Sequence, residues 1–333
     1  MSEAVRSVKS PRNNNACNPQ SQARMKALAL ILPALVFMAA LLGGCGGHQE
    51  STVVVYCAQD QVFAEPLLAE FTRQTGIKAR TIFDSEAVKT VGLANRLLAE
   101  KDHPQCDVFW GNEELRTRQL AAHGVFRATN GFKTFGFRSR RIVINTNKVS
   151  LTEAPRTLVE LTNATWRGKV ALAYPMFGTT ATHFLALRQR WGDAPWQTWC
   201  RALQANKPFL VDGNSVVVKL VGQGEAWIGL TDSDDVAGGI REGLPLAAMP
   251  LTPETLLIPN TVAVVRGAPH AAEAEQMFQF LQRSEVAGRL VKEQALEGAQ
   301  ASQPQGLQVD WTALLHDLDA ATAIMRDIFL RRE

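Results

Sequence analysis

The most regular feature of the chain is an alternation of short apolar runs with longer stretches whose apolar positions fall three or four residues apart. Thr52–Cys57 (TVVVYC) is a continuous β-branched run, and after a polar turn Phe63, Leu67, Leu68 and Phe71 recur at helical spacing. A strand and then a helix are expected. The unit repeats, with Ile77–Phe83 reading as a strand, Glu86–Glu100 as a helix carrying Val88, Val91, Leu97 and Leu98 on one face, and Cys106–Trp110 as a buried strand. Arg141–Asn145, Lys169–Ala173, Ala226–Leu230 and Leu257–Gly267 read as further strands, and Thr179–Trp191, Ala271–Arg283 and Trp311–Leu330 as helices. Strands alternating with helices of this length imply βαβ units, hence an α/β fold with a mostly parallel sheet flanked by helices.

The first 51 residues follow another pattern. Ala27–Leu42 is an uncharged apolar run, preceded by Arg24 and Lys26 and followed by small residues, and it is short for a bilayer span. It predicts a secretory signal peptide over residues 1–44, with 1–24 as a candidate mis-assigned start. Leu42-Gly43-Gly44-Cys45 resembles a bacterial lipobox, which implies lipidation at Cys45 and a tether over 45–51. The expected location is outside the cytoplasm, periplasmic or at the cell surface, anchored by lipid.

Charge changes the picture once that segment is set aside. The formal net charge is +3, but residues 1–44 hold five basic residues against the single acid Glu3, so removing that +4 leaves −1 for the remainder. No nucleic-acid partner is expected without a basic domain. With 46% hydrophobic and 20% charged residues, the chain can bury sizeable cores, and its length suggests two domains. Cys57, Cys106 and Cys200 have no CxxC spacing, which argues against a disulfide framework or a zinc site. GxSxG, Ser-x-x-Lys and HExxH motifs are missing, so an enzyme is not expected.

Taken together, VVVYCAQDQVFAEPLLAEFTRQTGIK, DVFWGNEE, GKVALAYPMFGTTATHF, VDGNSVV, GEAWIGLTDSDD and IPNTVAVVRGAPH resemble the extracellular solute-binding proteins (family 1) of ABC importers, in the branch of the ferric-ion-binding periplasmic proteins. The resemblance implies a two-lobed type II periplasmic-binding fold with the ligand in the cleft. Lobe one would be 50–145 plus 250–333 and lobe two 146–249. It also implies a monomer that captures a small solute, ferric iron or an iron complex among the candidates, and delivers it to ABC permease and ATPase subunits. No resident cofactor is expected, Fe(III) entering only as cargo.

Ligand sites in such sheets lie beyond the strand ends, at helix N-termini. The candidates there are Gln59 after the first strand, Asp84, Ser85 and Glu86 after the second, and Glu113 after the third, each of which can equally cap a helix. Thr179 and Thr180 follow a Gly turn suited to an oxyanion, and Asn214 and Ser215 follow Asp-Gly. Thr231–Asp235, read as a loop, packs three carboxylates into four positions, a density that costs repulsion unless something positive answers it. The iron binders carry a tyrosine pair at this loop; here there is none. Asp232, Asp234 and Glu86 could still ligate a hard cation, or Asp232 and Asp234 could hold the ammonium of an organic zwitterion such as an aminophosphonate, its anionic end on Thr179 and Ser215. Of Arg138, Arg140 and Arg141, at least two are expected on an exposed edge.

Overall fold

A computed structural model describes residues 50–83, 89–127, 131–299 and 306–330. The signal-peptide reading, Cys45 and the candidates Asp84, Ser85 and Glu86 lie outside these residues. Residues from Ser51 onward form one unit. Its first βαβ turns are β1 (Thr52–Cys57), α1 (Gln61–Thr75), β2 (Lys78–Phe83), α2 (Lys89–Ala99), β3 (Val108–Gly111) and α3 (Glu114–Ala122). The 14-residue strand β4 (Phe132–Asn145) follows. Next come β5 (Val170–Ala173), α4 (Gly178–Trp191), α5 (Asp193–Ala205), β6 (Phe209–Val211), α6 (Asn214–Gln223), β7 (Ile228–Asp232) and α7 (Ser233–Arg241). The chain closes with β8 (Leu246–Ala248), β9 (Leu257–Val264), α8 (Ala271–Leu281), α9 (Ser284–Lys292) and α10 (Trp311–Phe329).

The sheet order β2-β1-β3-β9-β4-β7-β5-β6, with β8 beside β4, turns on β4. Its first part, up to Ser139, pairs antiparallel with β9, whereas Arg140–Ile144 pair with β7 and Val143–Asn145 with β8. Two half-sheets therefore meet at Ser139/Arg140, and the second half-sheet takes up β4 six residues before residue 146. β1 is parallel to β2 and β3, and β5 is parallel to β6 and β7, so each half is a βαβ layer with antiparallel strands at the junction.

Each half has its own cores. Val53, Val55, Phe71, Trp110, Met277 and Phe280 close the first, and the continuous apolar reading of β1 reflects burial on both faces. In the second half, Leu172, Phe184, Trp196, Trp199 and Ile228 pack with Leu318, Met325 and Phe329 of α10. The C-terminal helix thus lies on α4 and α5 and also meets α3, where Leu115 joins the same cluster. The cysteines Cys57, Cys106 and Cys200 are buried thiols outside any disulfide. No helix among the described residues is long and apolar enough to cross a membrane.

Candidate functional site

The C-terminal ends of the strands and the helix starts that follow them converge on one cavity at the junction. It is lined by Asp60 and Asn112 from the first half, Arg138 from β4, and Tyr174, Gly178, Thr179, Thr180, Asp212, Gly213, Asn214, Asp232 and Asp235 from the second. Its volume is about 50 Å³. Phe177 and Gly213, the residues at the N-caps of α4 and α6, offer no side-chain capping bond, so neither helix start is closed by its own cap residue. Gly178 opens α4 at φ 52, a left-handed conformation that a side chain would strain.

The dense carboxylates at the end of β7 are answered from within the protein. Residues 231–235 are no loop, because β7 runs through Asp232 and α7 begins at Ser233. Asp232 sits at the N-cap of α7 yet makes no capping bond. Its oxygens instead accept from Arg140 Nη1 at 2.6 Å, Thr179 Oγ1 at 2.9 Å and Asn214 Nδ2 at 3.1 Å, with Arg138 Nη2 at 3.4 Å. Asp234 accepts from Arg138 Nη1 at 2.5 Å, and Arg138 also donates to the Asn112 carbonyl at 3.2 Å. The expectation that two of the three arginines lie on an exposed edge is corrected here. Arg138 and Arg140 are 3% and 1% exposed, since on a strand they share one face, which the antiparallel register sets against Asp232. Only Arg141 reaches outward, to Glu297.

Burial sets the protonation of this network. Burial alone would push the Asp232 carboxyl up, but Arg138 and Arg140 outweigh it and hold it below the usual carboxylate range. Asp234 is pushed up to about 6, by burial first and then by repulsion from Asp232 and Asp60, which exceed the pull of Arg138. Its Oδ1 is buried without a hydrogen-bond partner, as are Nε of Arg138 and of Arg140. The folded protein therefore holds the Asp234 proton to higher pH than the unfolded chain does, so this group's contribution to stability falls as pH rises from about 4 to about 6. Asp234→Asn is expected to flatten that slope in denaturant melts at pH 4, 5 and 6; an unchanged slope would assign it elsewhere. His183 is lowered to about 3 by burial and by Arg140, and its Nε2 meets the Glu254 carbonyl at 2.8 Å.

The remaining sequence candidates separate. Thr179, Thr180, Asn214 and Asp232 line the cavity; Gln59, Glu113, Ser215 and Asp234 do not. Gln59 is buried and accepts from Asn260 Nδ2 at 2.8 Å. Glu113 caps α3, accepting from the N–H groups of Leu115 and Arg116, and takes a third bond from Thr182. Burial raises its pKa against the pull of Arg116. Ser215 lies in the first turn of α6, where Gly213 holds the cap. The loops that the sequence singles out after the strands also bring Asp60, Asn112, Asp212 and Asp235 to the cavity, whereas the sequence favours an edge for Arg138 and gives Tyr174 no place in the site. Tyr174 stands immediately beyond β5, which is the signal that could have found it. Among the described residues, Asp232, Asp234 and Asp235 offer oxygens within 4.8 Å of one another.

A family model described as bacterial extracellular solute-binding protein matches residues 53–293. The major ferric iron-binding protein of Neisseria meningitidis (serogroup A) is 23% identical over 259 residues, 70% of this chain and 76% of its own. Iron-bound HitA from Pseudomonas aeruginosa superposes with a TM-score of 0.75 at 18% identity, over 84% of this chain and all of that one. AfuA from Actinobacillus pleuropneumoniae, with fructose-6-phosphate bound, superposes at 0.72 and 18% identity, over 85% and 100%. These likenesses carry the fold, that of the periplasmic binding proteins.

Proposed function

The chain belongs to the bacterial extracellular solute-binding proteins, and from that premise we propose that it captures a small organic zwitterion, an oxyanion at one end and an ammonium at the other, for an ABC importer. The observation that carries the reading is the presence of both backbone N–H donors and carboxylates around one cavity. The uncapped starts of α4 and α6 present N–H donors and the positive ends of two helix dipoles, a setting for phosphonate, phosphate or carboxylate. Asp60, Asp212 and Asp235 add three carboxylates to the same cavity, which disfavours a ligand that is only anionic. The ammonium is assigned to Asp60 and Asp235, which line the cavity from the first and the second half.

A second reading, a ferric ion or ferric complex as cargo, is favoured by the three clustered carboxylates and by Tyr174 on the wall. It is the weaker of the two. A cation among Asp232 and Asp234 must compete with two buried guanidinium groups, and the other tyrosine, Tyr56, is buried in β1 and donates to Glu100 at 2.7 Å. Thermal shift separates the readings: 2-aminoethylphosphonate at 100 times its dissociation constant should stabilise by about 2.7 kcal/mol. Stabilisation by ferric nitrilotriacetate and not by the aminophosphonate would reverse the choice. The proposal extends to export as a lipoprotein anchored through Cys45, to delivery to permease and ATPase subunits, to action as a monomer and to a binding rather than catalytic role. Loss of labelled fatty-acid incorporation in Cys45→Ser tests the anchor.

A further inference from the structure

The second half-sheet also touches the first through a side chain outside the ligand cavity. Arg241, the last residue of α7, reaches across to the end of α9, where its Nη1 donates to the Glu293 carbonyl at 3.2 Å and to Gln294 Oε1 at 2.9 Å. Its guanidinium also lies 5.8 Å from the centre of the Phe63 ring in the first turn of α1. Helix α7 starts at the cavity, with Asp232 at its cap and Asp235 in its first turn, and nine residues span roughly 13 Å, so the bridge stands one helix length from the ligand. On the opposite side, α1 likewise begins at a cavity residue, Asp60. Both walls of the cleft are thus tied together by one side chain that touches no part of the cavity.

The end of α9 shows that this contact is built rather than incidental. The N–H of Gln294 bonds to the Val291 carbonyl at 3.0 Å and that of Ala295 to the Leu290 carbonyl at 2.9 Å, the paired bonds of a Schellman cap. In that motif the left-handed position is ordinarily glycine. Here Gln294 occupies it at φ 61, one of only two non-glycine residues with positive φ among the described residues. Glycine would form the same backbone cap without strain. What glutamine adds is the side-chain oxygen that Arg241 uses.

We infer that Arg241 and Gln294 form a latch that holds the two lobes together and so sets ligand affinity without contacting ligand. Because a ligand that needs the closed state binds in proportion to that state's population, loosening the latch should weaken capture. The inference does not depend on which solute is bound, and its test uses none. Small-angle scattering of the unliganded protein should give a larger radius of gyration for Arg241→Ala and for Gln294→Gly than for the wild type. The double variant should open no further than Arg241→Ala alone. Gln294→Gly should also melt at or above the wild-type temperature, since it relieves the left-handed strain. Unchanged radii in either single variant would overturn the latch, and so would a Gln294→Gly variant that opens only by losing stability.

Discussion

Arg140→Ala is expected to lower the stability of the protein by about 3–5 kcal/mol, because it leaves Asp232 buried without its closest cation. Asp232 and Arg140 have side-chain exposures of 1% and 0%, so water cannot replace the lost partner. Arg138 cannot take over either, since its closest bond goes to Asp234 and its contact with Asp232 is already 3.4 Å long. Breaking this pair also loosens Thr179 and Asn214, which both lean on the same carboxylate and on Arg140. Calorimetric melting should fall by roughly 6–20 °C for a unit of this size. Replacing both partners, as Arg140→Met with Asp232→Asn, should recover at least half of that loss, because no unpaired buried charge remains. A single variant that melts within about 2 °C of the wild type would mean that the network does not organise the junction.

The second large effect concerns ligand rather than fold. Asp60 and Asp235 line the cavity from the two halves, so in the proposed reading a cation held between them would draw the halves together, and α4 and α6 of the second half would hold the oxyanion. Asp60→Asn and Asp235→Asn should each weaken 2-aminoethylphosphonate by roughly 10- to 150-fold in titration calorimetry, the worth of a charge-assisted bond of about 1.5–3 kcal/mol. Ethylphosphonate, which lacks the ammonium, should bind weakly to the wild type and no more weakly to either variant. Equal losses for both compounds would show that the two aspartates shape the cavity rather than read the positive charge.

Much of this was legible before any coordinates. The β-branched run at Thr52–Cys57 forms the strand it predicts, and Gly178-Thr179-Thr180 and Asp212-Gly213-Asn214 stand at helix starts on one cavity. These features are local, written in spacing and turn chemistry. The arginine network was not legible, because Arg138, Ser139, Arg140 and Arg141 form a polar run that reads as an edge until β4 is known to lie between β9 and β7. Two arginines at i and i+2 do share a strand face, so the pattern hinted at a pair, but their partner is set by a register across 92 residues. Likewise, Thr231–Asp235 looked like an acidic turn, although Asp and Ser at that point are ordinary helix-start residues. Glu113 shows the converse. Its place beyond a strand suggested ligand contact, and its oxygens are taken by the α3 N–H groups and Thr182.

The central claim is that the cavity reads a solute by opposite charge at its two ends, and a crystal structure of the protein with 2-aminoethylphosphonate tests it most directly. The account predicts phosphonate oxygens on the first-turn N–H groups of α4 and α6, beside Thr179 and Asn214, with the ammonium between Asp60 and Asp235. A reversed ligand, or a crystal grown with both candidates in which a ferric ion on Asp232, Asp234 and Asp235 has displaced the arginines, would contradict it.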